Sequence, residues 1–145
     1  MSSVYHIIDN FISEKDSQDL ITFFDKNDHL CSDSEERHKH RNLHYDLIKD
    51  LLDYYCLKNI IFIDHIFKAK TKLWNKMRLC RWKKGDSMAL HIDKNIDYYY
   101  SSLLYLNDEY EGGELLFNAE VMKMKKFSCI IFESDTHVHG VKKIL

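Results

Sequence analysis

A histidine and an aspartate lie two positions apart in the stretch LHID, residues 90–93, which is otherwise apolar. On a β-strand successive side chains point to opposite faces, so His91 and Asp93 would share one face while Ile92 would point into the other layer. An imidazole nitrogen and a carboxylate oxygen suit Fe(II), Mn(II) or Zn(II), although two protein ligands hold a metal ion poorly. The pair therefore indicates either half of a metal site or a polar pair at the end of a strand.

The best source of a third ligand is the segment THVHGV, in which His137 and His139 flank Val138. Two histidines and one carboxylate on one side of a metal ion leave coordination positions open to other molecules, as in non-haem Fe(II) oxygenases. An H-x-D pair is common by chance in a chain of this length, so it is weak evidence alone. The prediction of a metal site therefore depends on the segments around these residues.

The composition is that of a globular protein, and it excludes several classes. The chain has 145 residues, of which 45% are hydrophobic and 30% charged, with a formal net charge of -2. This is the size of one domain, and it lacks the basic excess of a general nucleic-acid binder. The N-terminal residues do not resemble a secretory signal, and no run approaches the roughly 18 apolar residues that span a membrane. We therefore expect a cytoplasmic domain without a membrane or nucleic-acid partner.

The elements that would position these side chains change in type along the chain. Ser13 and the acids that follow it predict the start of a helix, and a short strand precedes it over residues 4–8. Helical spacing of apolar residues predicts two further helices, over residues 43–57 and 60–73. After about Trp74, short β-type runs alternate with turn signals. The pattern predicts an α+β fold in which helices cover one face of a sheet or open barrel.

Three segments of the second half resemble, in the same order, motifs of the Fe(II)/2-oxoglutarate-dependent dioxygenases of the prolyl 4-hydroxylase type. They are MRLCRWKKGDSMALHID at residues 77–93, SSLLYLNDEYEGGELLF at 101–117 and KKFSCIIFESDTHVHGV at 125–141. In that family the first ends in H-x-D, the second forms a YLN and GGEL hairpin, and the third carries the H-x-V of the distal histidine. The opening residues 4–24 also resemble the family's first strand and helix. One such motif is degenerate, whereas three in order are fairly specific.

The resemblance implies a double-stranded β-helix, or jelly roll, whose open end holds iron. In such a fold His91 and Asp93 would be the proximal metal ligands. His139 would be the distal ligand, because the H-x-V frame falls on residues 139–141. Tyr105 of the YLN motif matches a tyrosine whose hydroxyl binds the distal carboxylate of 2-oxoglutarate in related enzymes. Packing in the core is the alternative role for this tyrosine.

The same resemblance implies one domain over residues 1–145, with a helical part over about 1–73 packed on a β-roll over about 74–145. Its activity would be the Fe(II)- and 2-oxoglutarate-dependent hydroxylation of an unactivated C–H bond, with ascorbate as a further reductant. The substrate would be a prolyl or other side chain of a peptide or protein. His137 would share the face of His139, so the choice between these two histidines stays open.

The chain departs from the family pattern at its C-terminal end. The family has an Arg or Lys on a final strand, beyond the distal histidine, that pairs with the distal carboxylate of 2-oxoglutarate. This sequence stops at Leu145, so we expect the final strand and its cation to be missing. The residues that could supply the cation instead are Arg78, Arg81, Lys142 and Lys143.

The missing strand leaves three hypotheses open. The first is an active oxygenase with an unusual anchor for 2-oxoglutarate. The second is a catalytically silent, metal-binding roll that acts as a binding module, and the third is a domain in which the His/Asp set is incidental. The uncovered sheet edge would also offer a second copy a place to pair, which gives a route to a dimer.

Overall fold

The computed structural model of the chain describes residues 5–30, 48–71, 78–93 and 99–145, together with the backbone of residues 32–33 and 40–44. Two α-helices, one short 3-10 helix and ten β-strands occur in these ranges. In chain order they are β1 (Tyr5–Ile8), α1 (Glu14–Lys26), the 3-10 helix (Asp28–Leu30), β2 (Ser32–Asp33), β3 (His40–His44), α2 (Lys49–Phe67), β4 (Arg78–Trp82), β5 (Met88–His91), β6 (Tyr100–Leu104), β7 (Leu115–Phe117), β8 (Glu120–Met122), β9 (Cys129–Glu133) and β10 (His139–Val141).

The described strands form three antiparallel sheets. The first has the order β1-β9-β6 and is called the β9 sheet; the second has the order β5-β10-β7-β8 and is called the β10 sheet. The third has the order β2-β3-β4. From β5 to β10 the chain passes repeatedly between the β9 sheet and the β10 sheet. This crossing pattern is that of a jelly roll.

Apolar side chains fill the space between the β9 sheet and the β10 sheet. Ile130 and Phe132, alternate residues of β9, are fully buried and pack with Leu115 and Phe117 of β7. The rings of Phe117 and Phe132 meet edge-on at a centroid distance of 5.0 Å. Full burial of one such side chain contributes about 1.5 to 3 kcal/mol. This layer therefore holds the two sheets of the roll together.

The helices cover the other face of the β9 sheet. α1 begins after Ser13, whose hydroxyl accepts a hydrogen bond from the backbone N–H of Asp16 at 3.1 Å, as its sequence predicts. Cys129 and Ile131, the remaining alternate residues of β9, belong to the same buried cluster as side chains from both helices. The helix side chains in this cluster are Leu20, Phe24, Leu52, Tyr55 and Ile63.

No helix within the described ranges combines the length and the apolar character needed to cross a membrane.

The predicted bounds of the second and third helices are wrong. β3 occupies positions at the predicted start of the helix over residues 43–57, and a single helix, Lys49–Phe67, stands where two were predicted. The apolar spacing matched a helix, but β3 pairs with β4 along its whole length. Those pairings satisfy the backbone N–H and C=O groups and outweigh the local preference. The N-terminal part thus supplies strands as well as helices, and its predicted boundary at Trp74 lies outside the described residues.

A bulge in the pairing of β10 with β5 lies directly before the predicted ligand pair. His139 lies opposite His91, but Val141 lies opposite Met88, so β5 has one more residue than β10 between these two pairings. Gly140 approaches β5 closely there, because a Cβ atom added to it would lie 2.8 Å from the carbonyl oxygen of Met88. β-bulges bend a strand and redirect its side chains. The bulge and the glycine therefore help to set the direction of His91.

Replacing Gly140 with alanine is expected to lower the free energy of unfolding by about 1 to 3 kcal/mol, the usual cost of overpacking. The nearest atoms belong to the backbone of β5 and cannot rotate away, so the strand must shift. Urea unfolding measures the change. Val121→Ala, at an exposed position in the same sheet, is the control and should change stability by less than about 0.5 kcal/mol. A Gly140→Ala protein as stable as the wild type would contradict the close approach.

Candidate metal centre

Three side chains that are remote in sequence form a cluster at one end of the roll. His91 is the last residue of β5, Asp93 follows two residues later, and His139 is the first residue of β10. One ligand atom from each of these side chains lies within 4.8 Å of the others. His91 Nε2 is 3.2 Å from Asp93 Oδ1, and His139 Nε2 is 3.6 Å from Asp93 Oδ2. The fold thus brings the three residues together, and their role as metal ligands stays a prediction.

Backbone carbonyl groups orient both imidazole rings of the cluster. His91 Nδ1 is 2.8 Å from the oxygen of Ala89, and His139 Nδ1 is 3.1 Å from the oxygen of His137. A carbonyl oxygen only accepts hydrogen bonds, so each Nδ1 carries a proton and donates it. In the neutral ring Nε2 then keeps its lone pair, and Nε2 is the atom that faces Asp93. A hydrogen bond of this kind fixes the tautomer and the direction of a metal-ligating histidine.

The cluster lies partly inside the protein. The side chains of His91 and Asp93 retain 17% and 25% of their exposure, whereas that of His139 retains 4%. Burial lowers the pKa of His139, and this effect exceeds the opposing influence of the His137 carbonyl and the Asp93 carboxylate. A lowered pKa favours the neutral ring at pH 7, which is the form that binds metal ions.

Ser101 holds the carboxylate of Asp93, and Ser134 in turn contacts Ser101. Ser101 Oγ donates a hydrogen bond to Asp93 Oδ2 at 2.8 Å and lies 2.8 Å from the hydroxyl oxygen of Ser134, which is fully buried. Ser101 lies on β6 and Ser134 directly follows β9, so the β9 sheet supports the ligand cluster from the side. Sequence reasoning missed both serines. The available signal for Ser101 was its strand alternation with Leu103 and Tyr105, which places all three on the inner face.

His137 lies apart from the ligand cluster. It is fully buried, with its ring stacked on that of Phe117 at a centroid distance of 4.9 Å and at right angles to that of Phe132. Its Nδ1 accepts a hydrogen bond from the side-chain amide of Asn118 at 2.7 Å, and its Nε2 has no hydrogen-bond partner within the described residues. The aromatic layer therefore holds His137, which favours His139 as the distal ligand.

Tyr105 lies on the inner side of the roll, beyond the cluster. It is four residues further along the chain than Ser101, or about 13 Å along an extended strand. Its ring packs on the apolar layer between the two sheets, and its backbone N–H donates to the oxygen of Ser128 at 2.9 Å. Burial raises the pKa of Tyr105, so the hydroxyl stays protonated and can donate to an anion. The ring thus has a packing role, and binding of 2-oxoglutarate stays a prediction.

Arg81 contacts α1 and the 3-10 helix. It is one of the basic residues considered for the distal carboxylate of 2-oxoglutarate. Its guanidinium pairs with Asp25, lies 3.9 Å from Asp28, and stacks over the ring of Phe24 at 4.4 Å. These contacts tie β4 to α1 and the residues after it. The other three candidates are exposed on the surface: Arg78, Lys142 and Lys143.

Comparisons with known proteins support the resemblance that was inferred from the three motifs. A family model described as the 2OG-Fe(II) oxygenase superfamily matches residues 77–145, a range that contains all three motifs. The sequence matches none of the curated proteins with which it was compared. The resemblance is therefore confirmed by a family match over the part of the chain that carries the cluster.

Solved structures with the same fold include several prolyl hydroxylases. A prolyl-4-hydroxylase from Pseudomonas putida has a TM-score of 0.79 at 14% identity, covering 99% of this chain and 86% of that chain. A viral collagen prolyl hydroxylase from Paramecium Bursaria Chlorella virus-1 has a TM-score of 0.72 at 19% identity, covering 97% and 87%. A Trichoplax adhaerens prolyl hydroxylase, solved with a hypoxia inducible factor peptide fragment, has a TM-score of 0.70 at 17% identity, covering 99% and 79%. These matches confirm the predicted jelly-roll fold.

The ring orientations predict distinct tautomers for the three histidines in and beside the cluster. In a long-range proton–nitrogen correlation spectrum of the metal-free protein at about pH 8, where free histidine is neutral, we expect His91 and His139 to carry their protons on Nδ1. His137 accepts at Nδ1, so its proton is expected on Nε2, which provides an internal comparison. The pKa of His139 should also lie below the ordinary histidine value of about 6.5, because burial disfavours its charged form. A proton on Nε2 of His139 would contradict the proposed orientation.

Proposed function

We propose, from the match of residues 77–145 to the 2OG-Fe(II) oxygenase superfamily, that this protein is an Fe(II)- and 2-oxoglutarate-dependent dioxygenase. Its reaction would hydroxylate an unactivated C–H bond in a prolyl or other side chain of a peptide or protein. We treat residues 1–145 as one domain, because helices and strands share buried clusters. The observation that supports the proposal most is the convergence of His91, Asp93 and His139.

The three side chains fit a ferrous ion. Two imidazole nitrogens and one carboxylate oxygen are the donor set of non-haem Fe(II) sites that bind further ligands. Metal bonds of about 2.1 Å at right angles separate two donor atoms by about 3 Å. The Nε2-to-carboxylate distances of 3.2 and 3.6 Å are close to this separation. One ion would therefore meet all three donors after small side-chain movements.

When bound, Fe(II) and 2-oxoglutarate supply oxidising chemistry that couples decarboxylation of the keto acid to oxygen insertion into a C–H bond. Within this proposal, His91, Asp93 and His139 hold the ion. Ser101 fixes the direction of Asp93 by donating to Oδ2, so the other carboxylate oxygen stays turned toward His91. Phe132 packs edge-on against His139 at a centroid distance of 5.0 Å and excludes water from that side.

Tyr105 is the residue that we assign to the distal carboxylate of 2-oxoglutarate. Burial keeps its hydroxyl protonated, and a protonated hydroxyl donates to a carboxylate without adding charge to the roll interior. Tyr105 directly follows β6 and packs on the same buried cluster as Leu103, so continued alternation places it on the inner face that also carries Ser101, which contacts the ligand cluster. Ascorbate, as a reductant from solution, completes the set of cofactors in the proposal.

A peptide or protein substrate is favoured by a similar structure. The Trichoplax adhaerens prolyl hydroxylase, which has the same fold, was solved with a peptide fragment. The side chain that is hydroxylated is the finer part of the proposal, with proline as the first candidate. A panel of proline-containing peptides, assayed for succinate release and a mass increase of one oxygen atom, addresses it directly.

Anaerobic addition of Fe(II) and 2-oxoglutarate to the wild type is expected to produce the weak visible charge-transfer band of the chelate. His91→Ala removes one of the three donors and should abolish the band. His29→Ala, at an exposed position outside the cluster, is the matched control and should keep it. Absence of the band in the wild type at millimolar 2-oxoglutarate would contradict the oxygenase proposal. A band without succinate formation under oxygen would instead support the catalytically silent module.

Removing the serine that holds the carboxylate should weaken metal binding. In Ser101→Ala, Asp93 loses the hydrogen bond at Oδ2, and losses of outer partners of this kind cost about 10-fold in metal affinity. Mn(II) binding measured by electron paramagnetic resonance gives the dissociation constant without turnover. Ser102→Ala is the control, because the next residue on a strand faces the opposite layer. Equal Mn(II) affinity for Ser101→Ala and wild type would contradict the supporting role of Ser101.

A further inference from the structure

The helix α2 carries apolar side chains on both of its faces. Tyr54, Leu57 and Ile61 keep 61%, 53% and 68% of their surface exposed. They lie opposite the face that packs into the core. A helix that is apolar all round is usually buried all round. The core-facing residues of α2 are Leu52, Tyr55, Cys56, Asn59 and Ile63.

The outer face of α1 has a different composition. Lys15 and Asp19 form an ion pair there at 2.7 Å, with most of their surface in solvent. No large apolar side chain is exposed along this helix, all of which the structure describes. Apolar exposure is therefore a property of α2 and not of the helical layer in general. The exposed residues of α1 are Glu14, Lys15, Gln18, Asp19, Thr22, Asp25 and Lys26.

Apart from Lys49, whose ammonium pairs with Asp53 at 2.7 Å, the exposed residues of α2 and its C-terminal cap form one stripe with an ordered charge. Asp50 precedes the three apolar residues, and His65 and Lys68 follow them, all at steps of three or four positions. Residues at this spacing lie on the same side of a helix. The stripe extends for about 27 Å at the helical rise per residue. We call the α2 stripe the set Asp50, Tyr54, Leu57, Ile61, His65 and Lys68.

We propose that the α2 stripe is the interface of a homodimer in which two copies of α2 pack antiparallel about a twofold axis beside Leu57. An axis between positions 57 and 58 sets Tyr54 against the partner's Ile61 and Asp50 against the partner's His65. Apolar surface then meets apolar surface at the centre. The acidic end of each stripe faces the basic end of the other.

The charge order favours a second copy in the antiparallel direction. A parallel pair would face Asp50 with the partner's Asp50 and Lys68 with the partner's Lys68, and like charges at such positions are destabilising. The antiparallel pair uses the same patch on both subunits, so it closes at two copies. The ligand cluster contacts Phe132 and Ser101 on the roll side of the β9 sheet, whereas α2 packs on its other face, so this interface is independent of the proposed chemistry.

The dimer is expected to be weak and reversible. Three apolar side chains and their flanking polar residues supply less than the about 800 Å² per partner of a standard interface. We expect a dissociation constant of about 10 to 100 μM, in the range of weak and transient associations. At higher concentrations most of the protein is then a dimer.

Sedimentation equilibrium from about 5 to 500 μM tests the dimer, over a range that brackets the expected dissociation constant. The average mass of the wild type should rise from 17.4 kDa toward twice that value. Ile61→Asp should stay monomeric over the whole range, since it places two charges in the apolar centre. Val121→Asp, which changes an equally exposed apolar residue outside the stripe, should dimerise like the wild type. A monomeric wild type, or a dimer that Ile61→Asp leaves intact, overturns the proposal.

A charge exchange tests the antiparallel direction. His65→Glu places a carboxylate against the partner's acidic end in both contacts and should weaken dimerisation about fivefold. Adding Asp50→Lys to that variant restores opposite charges and should recover the wild-type constant. Asp50 and His65 are both exposed, and circular dichroism verifies that each variant is folded. Leu57→Asp repeats the Ile61→Asp test of the apolar centre at a second position. A double variant that dimerises no better than His65→Glu overturns the antiparallel arrangement.

Discussion

Antiparallel pairing between β10 and β5 is the constraint on which the ligand cluster depends. It sets His139 directly opposite His91, and the bulge beside Gly140 gives the two strands their unequal spacing. Without this register the histidine near the C-terminus and the pair near the middle of the chain would lie on unrelated surfaces. Because side chains alternate along a strand, a shift by one residue would turn His139 away from Asp93. The register of β10 against β5 therefore sets the relative positions of the three side chains.

The groups around the cluster fix the orientation of the three ligand side chains. Carbonyl groups hold both Nδ1 atoms, so both Nε2 atoms face the carboxylate of Asp93. Ser101 anchors that carboxylate from the other sheet of the roll. The apolar layer around Phe132 presses the two sheets together and keeps the serines and the histidines at fixed separation. The apolar layer thus fixes the directions of the ligand side chains, which would otherwise be free to rotate.

The sequence predicted the parts of this arrangement that depend on local pattern. Ser13 marked the start of α1, and the alternation in H-x-D placed His91 and Asp93 on one face. The start of the second helix was wrong because apolar spacing near residue 43 fits a helix, whereas pairing with β4 decides the conformation there. Ser101 carried no motif of its own, since its role arises from a strand pairing that brings it to Asp93. The features that the sequence did not predict are those that depend on pairing between strands remote in sequence.

The choice between His137 and His139 shows the same limit, because both fit the spacing and only packing distinguishes them. X-ray absorption spectroscopy of the Fe(II)-loaded protein tests the central claim most directly, since it counts the imidazole ligands of the ion. The account predicts two imidazoles in the wild type, one in His139→Ala and two in His137→Ala. An unchanged count in His139→Ala, or the loss of an imidazole in His137→Ala, would contradict it.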